Sequence, residues 1–325
     1  MKNYLVEAGR FLEDCRYGKR LSEQTIKAYA ADLKQLGAYM EERHPELREA
    51  DQICRSVLNG YIQHLNATYA VQTAKRKYAS MKGFFGFLEK EELIRSNPMD
   101  KLPMRVKTPK ALPDVMTLAE LRAILEAAYN AEIHGNWCGD PELAILLHLR
   151  DIAVLELLFA TGLRVQELCD LKCSDMADKR QFIRIRGKGN KERSIFIGNE
   201  EVINALEAYD RQRRKLKKEG KYLFISRFRD KLSPQSVRNL VSKYVELAGI
   251  TKSITPHTFR HTFASLLLEE GVDIKYIQEF LGHSSISTTQ IYLHITPRGA
   301  KEVLTSMHPR RKLSSRDWTH KEIEI

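Results

Sequence analysis

The chain has 325 residues, 43% of them hydrophobic and 29% charged, close to globular averages and enough for about two domains. No run approaches the ~18–20 apolar residues of a membrane helix, and nothing resembles a basic leader ahead of an apolar stretch after Met1-Lys2-Asn3-Tyr4, so disordered, fibrous, membrane-spanning and exported readings are set aside. Lys and Arg number 53 against 42 Asp and Glu, a net +11 with a pI of 9.3; this points to a polyanionic partner, the alternative being a basic protein without one. Cys15, Cys54, Cys138, Cys169 and Cys173 are odd in number and form no disulfide framework, which fits a reduced, cytoplasmic setting.

The first hundred residues read as helices. From Glu23, Ile26, Tyr29, Leu33, Leu36 and Met40 step by three and four and line one face, with Ser22 as N-cap. Further segments are expected near Val57–Leu65 and Val71–Leu88. The latter sets Lys75, Arg76, Lys77 and Lys82 beside Phe84, Phe85 and Phe87. It reads either as a helix lying on a phosphate backbone or as a solvated basic face over an aromatic core. Asn97-Pro98 ends the block. Residues 101–116 hold Pro103, Pro109 and Pro113 among Lys101, Arg105, Lys107 and Lys110, the pattern of an extended basic linker.

A second domain opens at Thr117, whose Glu120 completes a capping box. Helical pattern runs to about Ala128, and a loop spans Asn130–Asp140. Leu143–Ala160 is a strongly apolar helix, with Gly162 suited to a left-handed C-terminal position. The period then changes to two. Phe182–Arg186 and Ser194–Ile197 predict a hairpin around the glycine-rich, basic Gly187–Arg193. Helical patterns return at Glu200–Lys218, Pro234–Ala248, His257–Glu270, Asp273–Leu281 and around Ser287–His294. The architecture expected is mainly α with a small β-sheet.

Six residues of this second half stand out. Arg164 follows a helix end. Lys188 sits between two glycines, which is not a P-loop because no Lys-Ser/Thr then opens a helix. His257 and Arg260 share a face near a helix N-terminus, which favours anions. His283 follows a glycine, and Tyr292 stands nine residues later. Singly, each has an ordinary reading: surface arginine, turn lysine, capping histidine, half-buried tyrosine. Together they supply cations for a phosphate's oxygens, a proton donor and a hydroxyl nucleophile, which is the inventory of a phosphodiester transfer that uses no metal. His257 and His261 lack the further ligands of a metal site.

Thr161–Leu168, Gly187–Arg193, His257-Thr258-Phe259-Arg260-His261, Leu281-Gly282-His283 and Tyr292, in that order, resemble the tyrosine recombinase (phage integrase) family. The gaps agree as well: 24 residues from Arg164 to Lys188, 23 from Arg260 to His283 and nine from His283 to Tyr292. The likeness extends to Leu5–Pro98, which is similar to the family's helical core-binding domain. Compact Xer-type members are the nearest in build. The connector Tyr129–Pro141 and the tail through Arg310-Arg311-Lys312 to Ile325 are longer than in those members, which leaves chromosome or plasmid dimer resolution and mobile-element integration both open.

The resemblance implies a helical, SAM-like DNA-binding domain over residues 1–100, a linker over 101–116, an α+β catalytic domain over 117–308, and a tail over 309–325 docking on a neighbouring subunit. It implies Tyr292 as nucleophile, forming a 3′-phosphotyrosyl link. Arg164, Arg260 and His283 would hold the phosphate, His257 would take the phenolic proton, and Lys188 would protonate the leaving 5′-oxygen. Lys75, Arg76, Lys77, Lys82, Lys107 and Lys110 are the candidate DNA contacts. The run Arg211–Lys218 is another, or else a solvated helix end. The implied partner is a specific duplex site, met by four subunits of this chain or of this chain and a relative, with no cofactor, metal, ATP or membrane. A type IB topoisomerase and a catalytically inactive DNA-binding relative are the alternatives.

Overall fold

The computed structural model describes residues 2–47, 49–100, 102, 114–132, 140–177, 181–186, 192–216, 220–282 and 303–313. The chain divides into two units, Met1–Ala111 and Leu112–Ile325.

In the first unit four helices, α1 (Lys2–Glu13), α2 (Glu23–Arg43), α3 (Arg55–Thr68) and α4 (Val71–Lys90), enclose one core. The Ser22 hydroxyl accepts the Thr25 N–H and caps α2. The α2 stripe faces inward as its period requires, with Ile26, Leu33, Leu36 and Met40 buried. Phe84, Phe85 and Phe87 of α4 are buried too, and the Tyr4 and Phe11 rings meet Phe84 edge-on at 5.3 and 5.7 Å. The aromatic stripe of α4 is therefore core.

The second unit is built around α6 (Pro141–Thr161), which is buried along nearly its whole length from Leu149 onward. An apolar helix without a polar face must be covered on all sides; α5 (Leu118–Tyr129), α8 (Glu200–Arg214), α9 (Pro234–Leu247) and α10 (Pro256–Glu269) pack against it. Thr117 and Glu120 form the expected capping box of α5. Gly162 ends α6 at φ +58°, and a Cβ there would lie 2.6 Å from Phe263. Only glycine meets both the left-handed backbone and the close packing of α10.

A short helix α7 (Val165–Asp170) follows, then three antiparallel strands in the order β1 (Met176–Ala177), β2 (Phe182–Arg186) and β3 (Glu192–Phe196). Neither α7 nor β1 was legible in the periodicity, since six and two residues are too few to show one. The second hairpin strand begins two residues earlier than its apolar run, at Glu192, and Arg193 lies opposite Ile185. Helix α8 stops at Arg214, before Lys218. Helix α11 (Ile274–Leu281) ends at Gly282, which is left-handed at φ +61°. The helix expected around Ser287–His294 lies outside the described residues.

The tail expected over residues 309–325 is described as far as Leu313. Pro309–Lys312 forms a 3₁₀ turn packed on α10 within the same unit, and Arg310 is completely buried. Pro309, Arg310 and Leu313 are thus buried in this unit while Arg311 and Lys312 are exposed, and Arg310 meets the Glu156 carboxylate of α6. Residues 314–325 lie outside the described residues.

Candidate active site

Three chain segments converge at the C-terminal end of α11. The first is the turn after α6. Arg164 is the N-cap of α7, and Glu167 at the third helical position reaches back to accept its N–H at 3.0 Å. That carboxylate also accepts the Arg164 guanidinium at 2.9 Å. Arg164 Nη1 and Nη2 then donate to the carbonyls of Leu281 and Gly282, each at 3.3 Å.

The second segment is α10. Thr255 caps it by accepting the Thr258 N–H, and Pro256 occupies the first turn. Arg260, 6% exposed, donates to Gly162 O at 2.8 Å and Leu281 O at 2.6 Å. Leu281 O therefore receives both arginines. A carbonyl at a helix C-terminus carries the negative end of the helix dipole, which helps two like charges stand together. Burial, and then the charge of Arg164, pull the Arg260 guanidinium down to about 10; it is still protonated at neutral pH. Among the described residues no carboxylate pairs with Arg260.

The third segment is β3. Arg193 donates from Nη1 and Nη2 to the two Glu167 oxygens at 3.0 and 2.8 Å, and from Nε to Phe280 O at 3.1 Å. Burial raises Glu167, but the hydrogen bonds and charge of Arg193, followed by Arg164, outweigh it and hold the carboxyl below its usual range. Two guanidiniums, Arg164 and Arg193, thus share the Glu167 carboxylate, and Arg260 stands beside them on Leu281 O, a net of two positive charges among these four groups. A cluster of that sign, with Glu167 and Arg260 buried and Arg164 partly exposed, is complementary to a phosphate and more so to the extra charge of a phosphoryl-transfer transition state.

His257 is exposed on the first turn of α10, one turn before Arg260. Burial of part of its ring, then the charges of His261, Arg260, Arg238 and Arg164, lower its pKa. It is neutral at pH 7 and able to accept a proton.

Of the residues read from sequence, the structure brings Arg164, His257 and Arg260 together. Lys188, His283 and Tyr292 lie outside the described residues, as do Lys107 and Lys110. Glu167, Arg193 and Arg238 were not singled out from sequence. A signal existed for Arg193: it shares strand parity with the buried Ile195, so period-2 alternation puts a cation on the inward face.

In the first unit, Lys82 is exposed on α4 and Lys75 is partly buried. Arg76 pairs with Asp32 while keeping its side chain 42% exposed. Lys77 is a correction. It is 3% exposed, and its ammonium donates to Asp32 at 3.0 Å and also to Gln35. A buried carboxylate needs a paired cation, so Lys77 serves the core and does not stand with the open basic face. On α8, Arg213 is likewise buried against Asp210 and Arg214 pairs with the same carboxylate, while Arg211 is exposed. Residues 217–219 lie outside the described residues.

Among the described residues no helix is long and apolar enough to cross a membrane, and no group of three His, Cys, Asp or Glu could hold a metal ion. The model of the phage integrase family matches residues 116–298, and that of the phage integrase N-terminal SAM-like domain matches residues 8–92. A tyrosine recombinase of Agathobacter rectalis is 40% identical over 313 residues, 96% of this chain and 99% of its own length. The tyrosine recombinase XerD of Halalkalibacterium halodurans is 37% identical, covering 93% of this chain and 97% of its own. XerC of Myxococcus xanthus is 36% identical, with 90% and 94% covered. Among solved structures, XerH recombinase bound to a palindromic difH substrate superposes with a TM-score of 0.68 at 18% identity, over 95% of this chain and 94% of that one. A lambda integrase tetramer bound to a Holliday junction gives 0.64 at 20% identity, over 87% and 74%. At these identities the two structures share the fold.

Proposed function

The chain belongs to the phage integrase family of tyrosine recombinases, and we propose that it cuts and rejoins duplex DNA at a specific site through Tyr292. In this reading the Tyr292 oxygen attacks the scissile phosphorus and its proton passes to His257. The bond from phosphorus to the 5′-oxygen breaks, and Lys188 returns a proton to that oxygen. A 3′-phosphotyrosine keeps the bond energy, and attack by a partner strand's 5′-hydroxyl reverses the step. Arg164 and Arg260, with His283, hold the non-bridging oxygens; guanidinium forks suit that geometry and stay charged.

The observation that carries this reading is the convergence of Arg164 and Arg260 on Leu281 O. It fixes two cations at the point where the chain passes through Gly282 to His283. The curated relatives named XerC and XerD, similar along nine-tenths or more of this chain, support a Xer-like role in resolving DNA dimers. Two duplexes would be exchanged within a ring of four subunits, as in the lambda integrase tetramer on its junction. The two halves are read as a DNA-binding domain over residues 1–100 and a catalytic domain from residue 117.

The test is recovery of covalent protein–DNA complexes from cells expressing the chain, with the attached DNA sequenced and the linked peptide identified. One recurrent site joined to the Tyr292 peptide is expected, and Tyr292→Phe should abolish the adduct. An adduct that persists in Tyr292→Phe overturns the assignment. Deletion of a fragment between two direct copies of the mapped site is the product expected of a resolving enzyme.

A further inference from the structure

Arg193 touches none of the groups assigned to phosphate chemistry except through others, yet its contacts are unusual for a strand residue. It stands on the inward face of β3, with its side chain 14% exposed. Its fork covers both Glu167 oxygens, and its Nε donates to Phe280 O in the last turn of α11. Each of its three nitrogens therefore donates to another part of the site. Gly282 makes room for it: a Cβ on Gly282 would lie 2.8 Å from Arg193 Nη1 and 3.0 Å from Cζ. The close approach of the guanidinium to the α11 end thus depends on the missing side chain of the residue just before His283.

Two consequences follow from elementary electrostatics. Glu167 is nearly buried, with 7% of its side chain exposed, and a buried carboxylate takes as many cationic hydrogen bonds as geometry allows. With Arg193 on both its oxygens, Glu167 has a fixed direction and only part of its capacity left for Arg164. Arg164 is then held without being fully neutralised, and its remaining donors are free to act on an incoming anion. The bond to Phe280 O also ties β3 to the helix end whose next carbonyl, Leu281 O, carries both Arg164 and Arg260.

We propose that Arg193 is a positioning residue for the phosphate clamp: through Glu167 and the α11 terminus it sets the direction and the effective charge of Arg164. This rests on the reading of Arg164 as a clamp on the scissile phosphate. Without Arg193, Glu167 turns wholly onto Arg164, and the Phe280 carbonyl, one residue before Leu281, loses its tether to β3. A misplacement of about 1 Å in such a site costs on the order of 100-fold in rate.

The test compares the mapped site as an ordinary duplex with the same duplex carrying a methylphosphonate at the scissile position. The methylphosphonate lacks one non-bridging charge, so a weakened clamp matters less on it. The full-length wild type, Arg164→Ala, Arg193→Ala, Arg193→Lys and the double variant Arg164→Ala/Arg193→Ala are assayed for adduct formation, each at a temperature where circular dichroism shows it folded. Arg193→Lys covers the case in which the alanine variant does not fold, since it keeps the charge but cannot span both carboxylate oxygens and Phe280 O. The expected result is a loss of roughly 10- to 100-fold for the Arg193 variants on phosphate, several-fold smaller on methylphosphonate, with the double variant no slower than Arg164→Ala. Equal losses on both substrates for the Arg193 variants, while Arg164→Ala remains selective, overturn the proposal and leave the clamp reading standing. Equal losses for Arg164→Ala itself overturn the clamp reading and the proposal with it.

Discussion

Arg310 and Glu156, 154 positions apart, form a two-pronged ion pair, with both hydrogen bonds at 2.8 Å and both side chains fully buried. Tyr129 donates to the same carboxylate at 3.0 Å, and Glu201 lies 2.5 Å from Arg310 Nη1. The pair fastens the segment after Tyr292 to α6, the helix whose C-terminal turn presents Gly162 O to Arg260.

Removing one partner of a buried pair strands the other. Arg310→Met should cost about 3–5 kcal/mol and lower the chemical-denaturation midpoint of the second unit. Arg311→Ala, whose side chain is exposed, should change it by less than ~0.5 kcal/mol. Comparable midpoints for the two variants would show that Arg310 does not neutralise Glu156.

His308 gives a pH signature to the same docking. Its Nδ1 accepts the Arg310 N–H at 2.9 Å, and its Nε2 lies 3.1 Å from Ala160 O, which requires the neutral ring to donate there. Burial is the main force that brings its pKa down to about 4, against about 6.5 in an unfolded chain. The unfolded state therefore binds the proton first. Stability is full above pH ~6.5 and falls as pH drops toward 4, by up to ~1.4 kcal/mol per pH unit. Denaturation midpoints of wild type and His308→Asn between pH 7.5 and 4.5 should diverge in slope, the variant being flatter; parallel curves would remove His308 as the cause.

In the proposed mechanism His257 makes the rate depend on pH in the same sense. Partial burial and the surrounding cations lower its pKa, so the free enzyme keeps the neutral, proton-accepting form below pH 6.5. Cleavage at subsaturating DNA should hold steady from pH 8 to 6.5 and decline only below that. His257→Asn should lose roughly 100- to 10,000-fold and with it the acid limb. A wild-type limb centred above pH 7 would assign the base to another group.

Lys188 as general acid is tested by the leaving atom. A substrate with sulfur at the 5′-bridging position should largely rescue Lys188→Ala, since a thiolate leaves without a proton. It should rescue Arg260→Ala poorly, because in the proposed mechanism that arginine acts on the non-bridging oxygens. Equal rescue of both would make Lys188 another clamp.

The two lysines of α4 should separate binding from folding. Lys82→Ala should weaken DNA binding and reduce the salt dependence by about one unit of slope, with stability unchanged. Lys77→Ala removes a buried partner of Asp32, which retains Arg76, and should cost about 2–3 kcal/mol. Loss of a salt-slope unit in Lys77→Ala at full stability would put that ammonium on DNA.

What could be read from the residues alone was short-range. Ser22, Thr117 with Glu120, and Gly162 mark their helix ends because caps act over three or four positions, and the α2 and α4 stripes follow from the helical period. The order and spacing of Arg164, Lys188, His257, Arg260, His283 and Tyr292 disclosed the family, since each segment carries its own local signature. The choice of charge partners was not local. Lys77 reads like Lys75 and Lys82, and Arg310 like Arg311, until a carboxylate from a distant helix lies beside one of each pair. Arg193 and Glu167 are 26 positions apart, and only the packing of β3 against the α7 and α11 ends makes them one unit. Burial decides the matter: a charge that leaves water must find its counter-charge, and which charges leave water is settled by the tertiary structure.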